Sequence, residues 1–177
     1  MDSPLGSLVG WPGDQLTTLV RRLAAQGLTV ACAESLTGGL LCAVLTEIPG
    51  VSAVLRGGLV VYATDLKGSL AGVDPDLLAT RGPVDPEVAA QLADGARRAC
   101  GATIGIGLTG VAGPDPQNGV PVGTWHVALA GPGGTAQRSG HPSGGRPTRG
   151  AVRVAAVRAA LDLLAELTSA PGATAAP

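Results

Sequence analysis

Segments with the spacing of strands alternate with segments with the spacing of helices along most of the chain. Strands are predicted over residues 29–33, 59–62, 103–108, 124–130 and 135–139. Helices are predicted over residues 14–26, 40–48, 85–100 and 147–167, with a further short helix capped by Thr64. The last two strands are joined by a short glycine-rich loop, so they are expected to be antiparallel. The pattern predicts an α/β fold, a three-layer α/β/α domain with a mixed, mostly buried sheet of about five strands.

The length of 177 residues suits one domain with a substantial core better than two domains. We expect an N-terminal loop over residues 1–13 and a folded domain over residues 14–167. An Asp14 side chain is expected to cap the first helix of that domain. Residues 168–177, rich in alanine and proline, are expected to form a disordered tail.

Composition excludes several classes of protein. No apolar run approaches the ~20 residues that a membrane span requires, and a net charge of −1 argues against general nucleic-acid binding. Three cysteines without C-x-x-C spacing, and two histidines without a ligand at metal spacing, predict neither a disulfide framework nor a metal site. The first residues lack the basic segment of a signal peptide, so a cytoplasmic protein is expected. No cofactor is expected.

The first candidate for chemistry is a serine turn between a predicted strand and a helix, Glu34-Ser35-Leu36-Thr37-Gly38-Gly39. Glycines let backbone N–H groups approach a ligand, and the helix N-terminus adds partial positive charge. A serine in such a bend can be a nucleophile with an oxyanion hole beside it. The alternative, a serine or threonine that simply caps the helix, is about equally frequent.

The second candidate is Tyr62 with Lys67, the single tyrosine and the single lysine of the chain. The tyrosine ends a predicted buried strand, and the lysine lies one turn into the following helix. A lysine near a helix N-terminus and other positive charge has a lowered pKa and can act as a general base. The alternative is a solvated lysine on an exposed helix face.

Two further segments could bind an anion. The loop 109–116 carries glycines after a buried strand, although a plain turn explains it nearly as well. Arg146, Arg149 and Arg153 gather around the start of the last helix, against the preference of the helix dipole. They could surround a phosphate, or they could form a solvated face or an intersubunit salt bridge.

Five segments in this order resemble the CinA C-terminal domain family. They are residues 33–39 (AESLTGG), Gly57-Gly58 with Tyr62 and Lys67, residues 109–115 (TGVAGPD), residues 121–124 (PVGT) and residues 144–146 (GGR). The resemblance covers about residues 14–167, and that family includes nicotinamide-nucleotide amidohydrolases. It therefore implies hydrolysis of nicotinamide mononucleotide (NMN) to nicotinate mononucleotide and ammonia.

The resemblance also implies roles for particular residues. Ser35 would be the nucleophile, Lys67 the base, and Tyr62 a third catalytic group. The residues expected to bind substrate are Thr37, Gly38, Gly39, Thr109, Gly110, Gly113, Arg146 and Arg149. A homodimer is expected, and no membrane or nucleic-acid partner. The alternatives are a non-catalytic nucleotide-sensing or interaction module, and an amidohydrolase for a different amide.

Overall fold

The structure is a computed structural model that describes residues 2–141 and 147–169. Its five strands are β1 (Val30–Glu34), β2 (Leu55–Val60), β3 (Ile104–Gly110), β4 (Trp125–Gly131) and β5 (Gly134–Gly140). They form one sheet in the order β2-β1-β3-β4-β5. β1 is parallel to both β2 and β3, whereas β4 is antiparallel to β3 and to β5. The prediction of a mixed five-stranded sheet that ends in an antiparallel hairpin is confirmed.

The described part of the chain has seven α-helices and a short 3-10 helix at Val51–Ala53. The helices are α1 (Pro4–Leu8), α2 (Gly13–Ala25), α3 (Leu40–Thr46), α4 (Thr64–Ser69), α5 (Pro75–Arg81), α6 (Pro86–Ala99) and α7 (Arg149–Ser169). Within those described residues, no helix has both the length and the apolar character needed to cross a membrane.

Helices cover both faces of the sheet, so the domain has three layers. On one face, Cys32 of β1 and Ile106 of β3 pack in a large apolar core with α2, α3 and α7. On the other face, small residues such as Ala31 and Ala33 pack against α6 and the segment after α4. Because side chains alternate along a strand, neighbouring residues of β1 serve the two layers.

The close approach of α6 to the sheet depends on glycine in β3. A Cβ atom at Gly105 would lie 1.8 Å from the carbonyl oxygen of Ala93, and one at Gly107 would lie 2.1 Å from that of Ala89. Both contacts are with helix backbone, which cannot move away as a flexible side chain could. The two glycines therefore set the distance between β3 and α6 and hold the carboxyl end of β3 in place.

Replacing Gly105 by alanine is expected to destabilise the domain by about 3 kcal/mol, because α6 must shift to admit the methyl group. Urea unfolding followed by circular dichroism measures the change. Gly150→Ala is the matched control, since Gly150 lies in α7 with nothing within 4 Å of the added Cβ atom, and it should stabilise slightly. Equal stability of the two variants would contradict this account of the α6 contact.

Two helix caps and one strand differ from the sequence predictions. Asp85 caps α6 as predicted, accepting a hydrogen bond from the backbone N–H of Glu87 at 2.8 Å. Asp14 and Thr64 instead lie inside the first turns of α2 and α4, which begin after Pro12 and Ala63 without a side-chain cap. β2 was expected as a buried run over residues 59–62, but it spans Leu55–Val60 at the sheet edge with alternating exposure.

Two helices were not predicted. Residues 1–13 were expected to form a loop, yet α1 lies within them, capped by Ser3 and held by the carboxylate of Glu47. α5 begins at Asp74-Pro75, the same capping pair that marks α6 at Asp85-Pro86. The expected tail falls mostly outside the described residues.

Candidate active site

Ser35 lies at the carboxyl end of β1, near the middle of the sheet. Its backbone N–H donates to the carbonyl of Leu108 in β3 at 3.0 Å, which continues the parallel pairing by one residue. The chain then turns, and the Gly38 N–H donates back to the Ser35 carbonyl at 3.1 Å. The Ser35 side chain is thus fixed at the edge where ligands bind in open α/β sheets.

Glu34 holds the serine turn together, a role that the sequence reasoning missed. Its carboxylate is fully buried and accepts three backbone N–H bonds, from Gly39 (3.1 Å), Leu41 (3.1 Å) and Cys42 (2.9 Å). These are orphan donors at the start of α3, and an acid is well suited to satisfy them. The signal in the sequence is an acid at the strand end, followed within a few residues by paired glycines and a helix.

Thr37, Gly38 and Gly39 shape the turn. Gly38 and Gly39 have φ values of +60° and +91°, which glycine adopts without strain. Thr37 is fully buried, and the Arg153 guanidinium donates to its carbonyl oxygen at 2.8 Å. The structure does not place these three residues on the pocket wall, and it assigns Arg153 to the turn rather than to an anion.

Lys67 reaches Ser35 from α4, although 32 residues separate them in the chain. Its side chain is 1% exposed, and Nζ lies 2.9 Å from the Ser35 hydroxyl oxygen. Nζ also donates to the carbonyl oxygens of Val61 at 2.7 Å and Tyr62 at 3.3 Å. A solvated lysine on an exposed helix face is therefore the wrong interpretation.

Burial lowers the pKa of Lys67 from 10.5 to about 8, while the Asp65 carboxylate raises it somewhat. The cause differs from the one expected from the sequence, which was positive charge and a helix terminus. Desolvation disfavours the ammonium form of a buried lysine. With this pKa, about a tenth of the Lys67 side chains are neutral at pH 7 and able to accept a proton.

Tyr62 stands at the mouth of the site rather than beside the serine hydroxyl. Its side chain is 59% exposed, and its hydroxyl oxygen lies 2.6 Å from Nη2 of Arg149. Arg149 also donates to the carbonyl oxygen of Gly113. These contacts tie the segment before α4, the loop after β3 and the start of α7 into one wall.

These groups surround a cleft of about 130 Å³ that opens to solvent. Its lining includes Ser35, Leu36, Tyr62, Lys67, Pro83, Thr109, Gly110, Gly113, Asp115 and Arg149. Thr109 is fully buried and donates its hydroxyl to the Pro83 carbonyl at 2.7 Å. Of the predicted substrate-binding residues, Thr109, Gly110, Gly113 and Arg149 thus line the cleft, and Arg146 lies outside the described residues.

Comparison with known proteins gives a consistent result. The sequence model of the CinA C-terminal domain matches residues 14–168. A CinA-like protein of Frankia casuarinae is 51% identical over 156 residues, which cover 88% of this chain and 35% of that protein. This chain thus spans about a third of the length of that relative.

Two crystal structures show the same fold. A competence/damage inducible protein, CihA, from Agrobacterium tumefaciens has 38% identity and a TM-score of 0.75, covering 88% of this chain and 96% of that one. A competence-damaged protein (CinA) superfamily protein from Escherichia coli has 31% identity and a TM-score of 0.81, covering 86% and 88% of the two chains.

Proposed function

Since this chain belongs to the CinA C-terminal domain family, we propose that it is an amidohydrolase that converts NMN to nicotinate mononucleotide and ammonia. The observation that carries the proposal is the 2.9 Å contact between buried Lys67 and the Ser35 hydroxyl in the cleft. Serine–lysine pairs are an established variant of nucleophile–base catalysis. An amide is a poor electrophile, so its hydrolysis requires such an activated nucleophile.

In the first half of the reaction, neutral Lys67 accepts the proton of the Ser35 hydroxyl as its oxygen attacks the carboxamide carbon. The tetrahedral intermediate carries a negative oxygen. The backbone N–H group of Leu36, a residue that lines the cleft, has no acceptor among the described residues, and we assign it to that oxygen. The C–N bond then breaks, and the Lys67 ammonium gives its proton to the departing ammonia.

In the second half, water hydrolyses the acyl-enzyme. Lys67 takes a proton from the water while its oxygen attacks the ester carbon, and the Ser35 oxygen leaves. That oxygen recovers the proton from Lys67, and nicotinate mononucleotide is released. The net reaction consumes one water for each ammonia, and Lys67 takes part in each of the four proton transfers.

Arg149 is the side chain best placed to bind the phosphate of NMN. Its contacts with Tyr62 and Gly113 fix the guanidinium at the rim of the cleft, and they leave further N–H donors for an anion. The phosphate at the rim would leave the carboxamide to reach Ser35 farther in.

The proposal is tested by incubating the purified protein with NMN and measuring ammonia with a coupled enzyme assay. Nicotinamide riboside, nicotinamide and glutamine form the comparison panel. The expected result is saturable ammonia release that is greatest with NMN. Release of ammonia from another amide in preference to NMN would support amide hydrolysis but contradict the assignment of NMN as the substrate.

The same protein samples separate catalysis from sensing. Titration calorimetry with NMN measures binding independently of turnover. Saturable binding without ammonia release would overturn the proposed reaction in favour of a nucleotide-sensing module.

Replacing Arg149 by alanine is expected to raise KM for NMN about 10- to 100-fold, because a hydrogen bond to a charged group contributes ~1.5–3 kcal/mol. The change in kcat should be smaller. With nicotinamide riboside, which has no phosphate, the variant and the wild type should have similar KM values. Steady-state kinetics on both substrates measures the effect.

Arg138→Ala is the matched control. Its guanidinium pairs with Glu166 and lies 3.7 Å from a carboxylate oxygen of Asp162, and Arg138 does not line the cleft. Equal losses on NMN and on the riboside in Arg149→Ala would contradict the assignment of Arg149 to the phosphate.

A further inference from the structure

A second cluster of reactive side chains lies behind the serine turn. The sulfur atoms of Cys32 and Cys42 and a carboxylate oxygen of Glu34 all lie within 4.8 Å of one another. Cys32 and Glu34 are two residues apart on β1 and therefore point to the same face. Cys42 comes from α3, which folds back over that face after the turn.

This proximity could not be read from sequence spacing. Ten positions separate the two cysteines, and neither has a C-x-x-C partner. The strand–turn–helix path brings them together, whereas Cys100 lies at the end of α6 and packs in the core of the opposite sheet face. All three cysteines are free thiols.

Glu34 keeps capacity for one more ligand on one of its oxygens. Oε2 already accepts two N–H bonds, from Gly39 and Leu41, but Oε1 accepts a single bond, from Cys42. A carboxylate offers about four acceptor positions, two on each oxygen. Oε1 can therefore bind a cation while α3 stays capped.

The cluster lies close beneath the protein surface. Cys42 is half-buried beneath the edge strand β2, whose Gly58 is exposed. A Cβ atom at Gly58 would lie 2.4 Å from the Cys42 sulfur. The backbone of an exposed glycine thus separates this sulfur from the surface.

We propose that Cys32, Cys42 and Glu34 form a binding site for one Zn²⁺ ion, with two thiolates and one carboxylate as protein ligands. Two sulfurs at ~2.3 Å from a tetrahedral zinc lie about 3.8 Å apart, so the side chains need only small adjustments. Thiolates select a soft or borderline metal over Mg²⁺ or Ca²⁺. Binding releases two thiol protons, and a fourth ligand from water would complete the tetrahedral shell.

The test uses the reduced 177-residue chain with Zn²⁺ or Co²⁺ alone. Titration calorimetry should give one Zn²⁺ per chain, and Co²⁺ should produce a near-ultraviolet thiolate-to-cobalt charge-transfer band. Zinc should protect the half-buried Cys42 from alkylation in the folded protein, with mass spectrometry locating the remaining label on Cys100. Absence of stoichiometric zinc binding, or of the charge-transfer band, would overturn the proposal.

Cysteine variants locate the site. Cys42→Ser, at the half-buried position, should weaken zinc binding at least about 100-fold, whereas the matched control Cys100→Ser should bind as the wild type does. Circular dichroism checks that each variant is folded, and Cys42→Ala provides a second substitution if the serine variant is not. Unchanged affinity in the folded Cys42 variant, or lost affinity in folded Cys100→Ser, would overturn the assignment.

Discussion

Replacing Ser35 by alanine is expected to lower the rate of ammonia release from NMN at least about 1,000-fold, because no other nucleophile among the described residues of the cleft lies beside a base. Ser35 is the hydroxyl that lies 2.9 Å from the Lys67 amine. The other hydroxyl groups among the described cleft residues already make hydrogen bonds. Thr109 donates to the Pro83 carbonyl, and the Tyr62 hydroxyl oxygen accepts from Arg149. Initial rates under saturating NMN measure the loss.

The variant should keep both the fold and the affinity for substrate. Without the serine hydroxyl, Lys67 still donates to the carbonyls of Val61 and Tyr62, so its amine is not left unpaired in the core. Calorimetry with NMN should therefore give a Kd within about threefold of the wild type. An intact Kd together with lost turnover separates a catalytic role from a structural one.

Ser69→Ala is the matched control, since it removes an exposed hydroxyl that bonds the Asp65 carbonyl on the same helix as Lys67. Its activity should equal that of the wild type. Acid quench during turnover, followed by mass spectrometry, should find a nicotinoyl nucleotide on the Ser35 peptide of the wild type alone. Undiminished activity in Ser35→Ala would contradict the nucleophile assignment outright.

The order of helices and strands along the chain could be predicted from the sequence because capping residues and apolar spacing are local signals. Asp85 followed by proline marks a helix start through capping chemistry, and the structure has that cap. β2 was misplaced because Arg56, Gly57 and Gly58 carry no apolar pattern, and its pairing with β1 places it at the edge. Edge position is a tertiary property that periodicity does not encode.

The candidate site shows the same contrast between local signals, which the sequence carries, and tertiary contacts, which it does not. Ser35 could be selected from the strand–turn–glycine pattern, and Lys67 from its position near Tyr62, but no spacing rule links Ser35 to Lys67. The contact arises because β1 and β2 are parallel neighbours, so that Ser35 and the start of α4 emerge at the same edge of the sheet. The pairing of Cys32 with Cys42 escaped prediction for a related reason, since it depends on how α3 folds over β1.

Lys67 variants are expected to lose activity by about 100- to 10,000-fold, the usual contribution of a general base. Lys67→Arg should fail as completely as Lys67→Met, because a guanidinium does not release its proton near neutral pH. Added methylamine should partly rescue Lys67→Ala by supplying a neutral amine to the vacated space. Full activity in Lys67→Arg would contradict proton transfer by this side chain.

The pH dependence of the wild type gives an independent check on the base. With a pKa of about 8 for Lys67, kcat/KM should rise about tenfold per pH unit below pH 8 and level off above it. Lys67→Ala rescued by methylamine should instead follow the pKa of the added amine, which is higher. An identical profile in the two cases would assign the titration to another group.

The burial of Lys67 should also make the free energy of unfolding depend on pH. The direction of this dependence follows from the lowering of the Lys67 pKa on folding. The folded-state pKa of Lys67 is about 8, below its ordinary value of 10.5, so between these values the unfolded chain holds the extra proton. The free energy of unfolding of the wild type therefore rises with pH through this window, by about 3 kcal/mol at ~1.4 kcal/mol per tenfold change.

Lys67→Met lacks this contribution, so the free energy of unfolding of the wild type minus that of the variant should grow between pH 7.5 and pH 10.5, as measured by urea unfolding. Whether the wild type or Lys67→Met is the more stable at pH 7.5 depends on the hydrogen bonds that the variant loses, notably the one to the Val61 carbonyl. The pH dependence of this difference does not include those hydrogen bonds, because a carbonyl does not titrate. A flat difference would mean that burial does not lower the pKa of Lys67 in the folded protein.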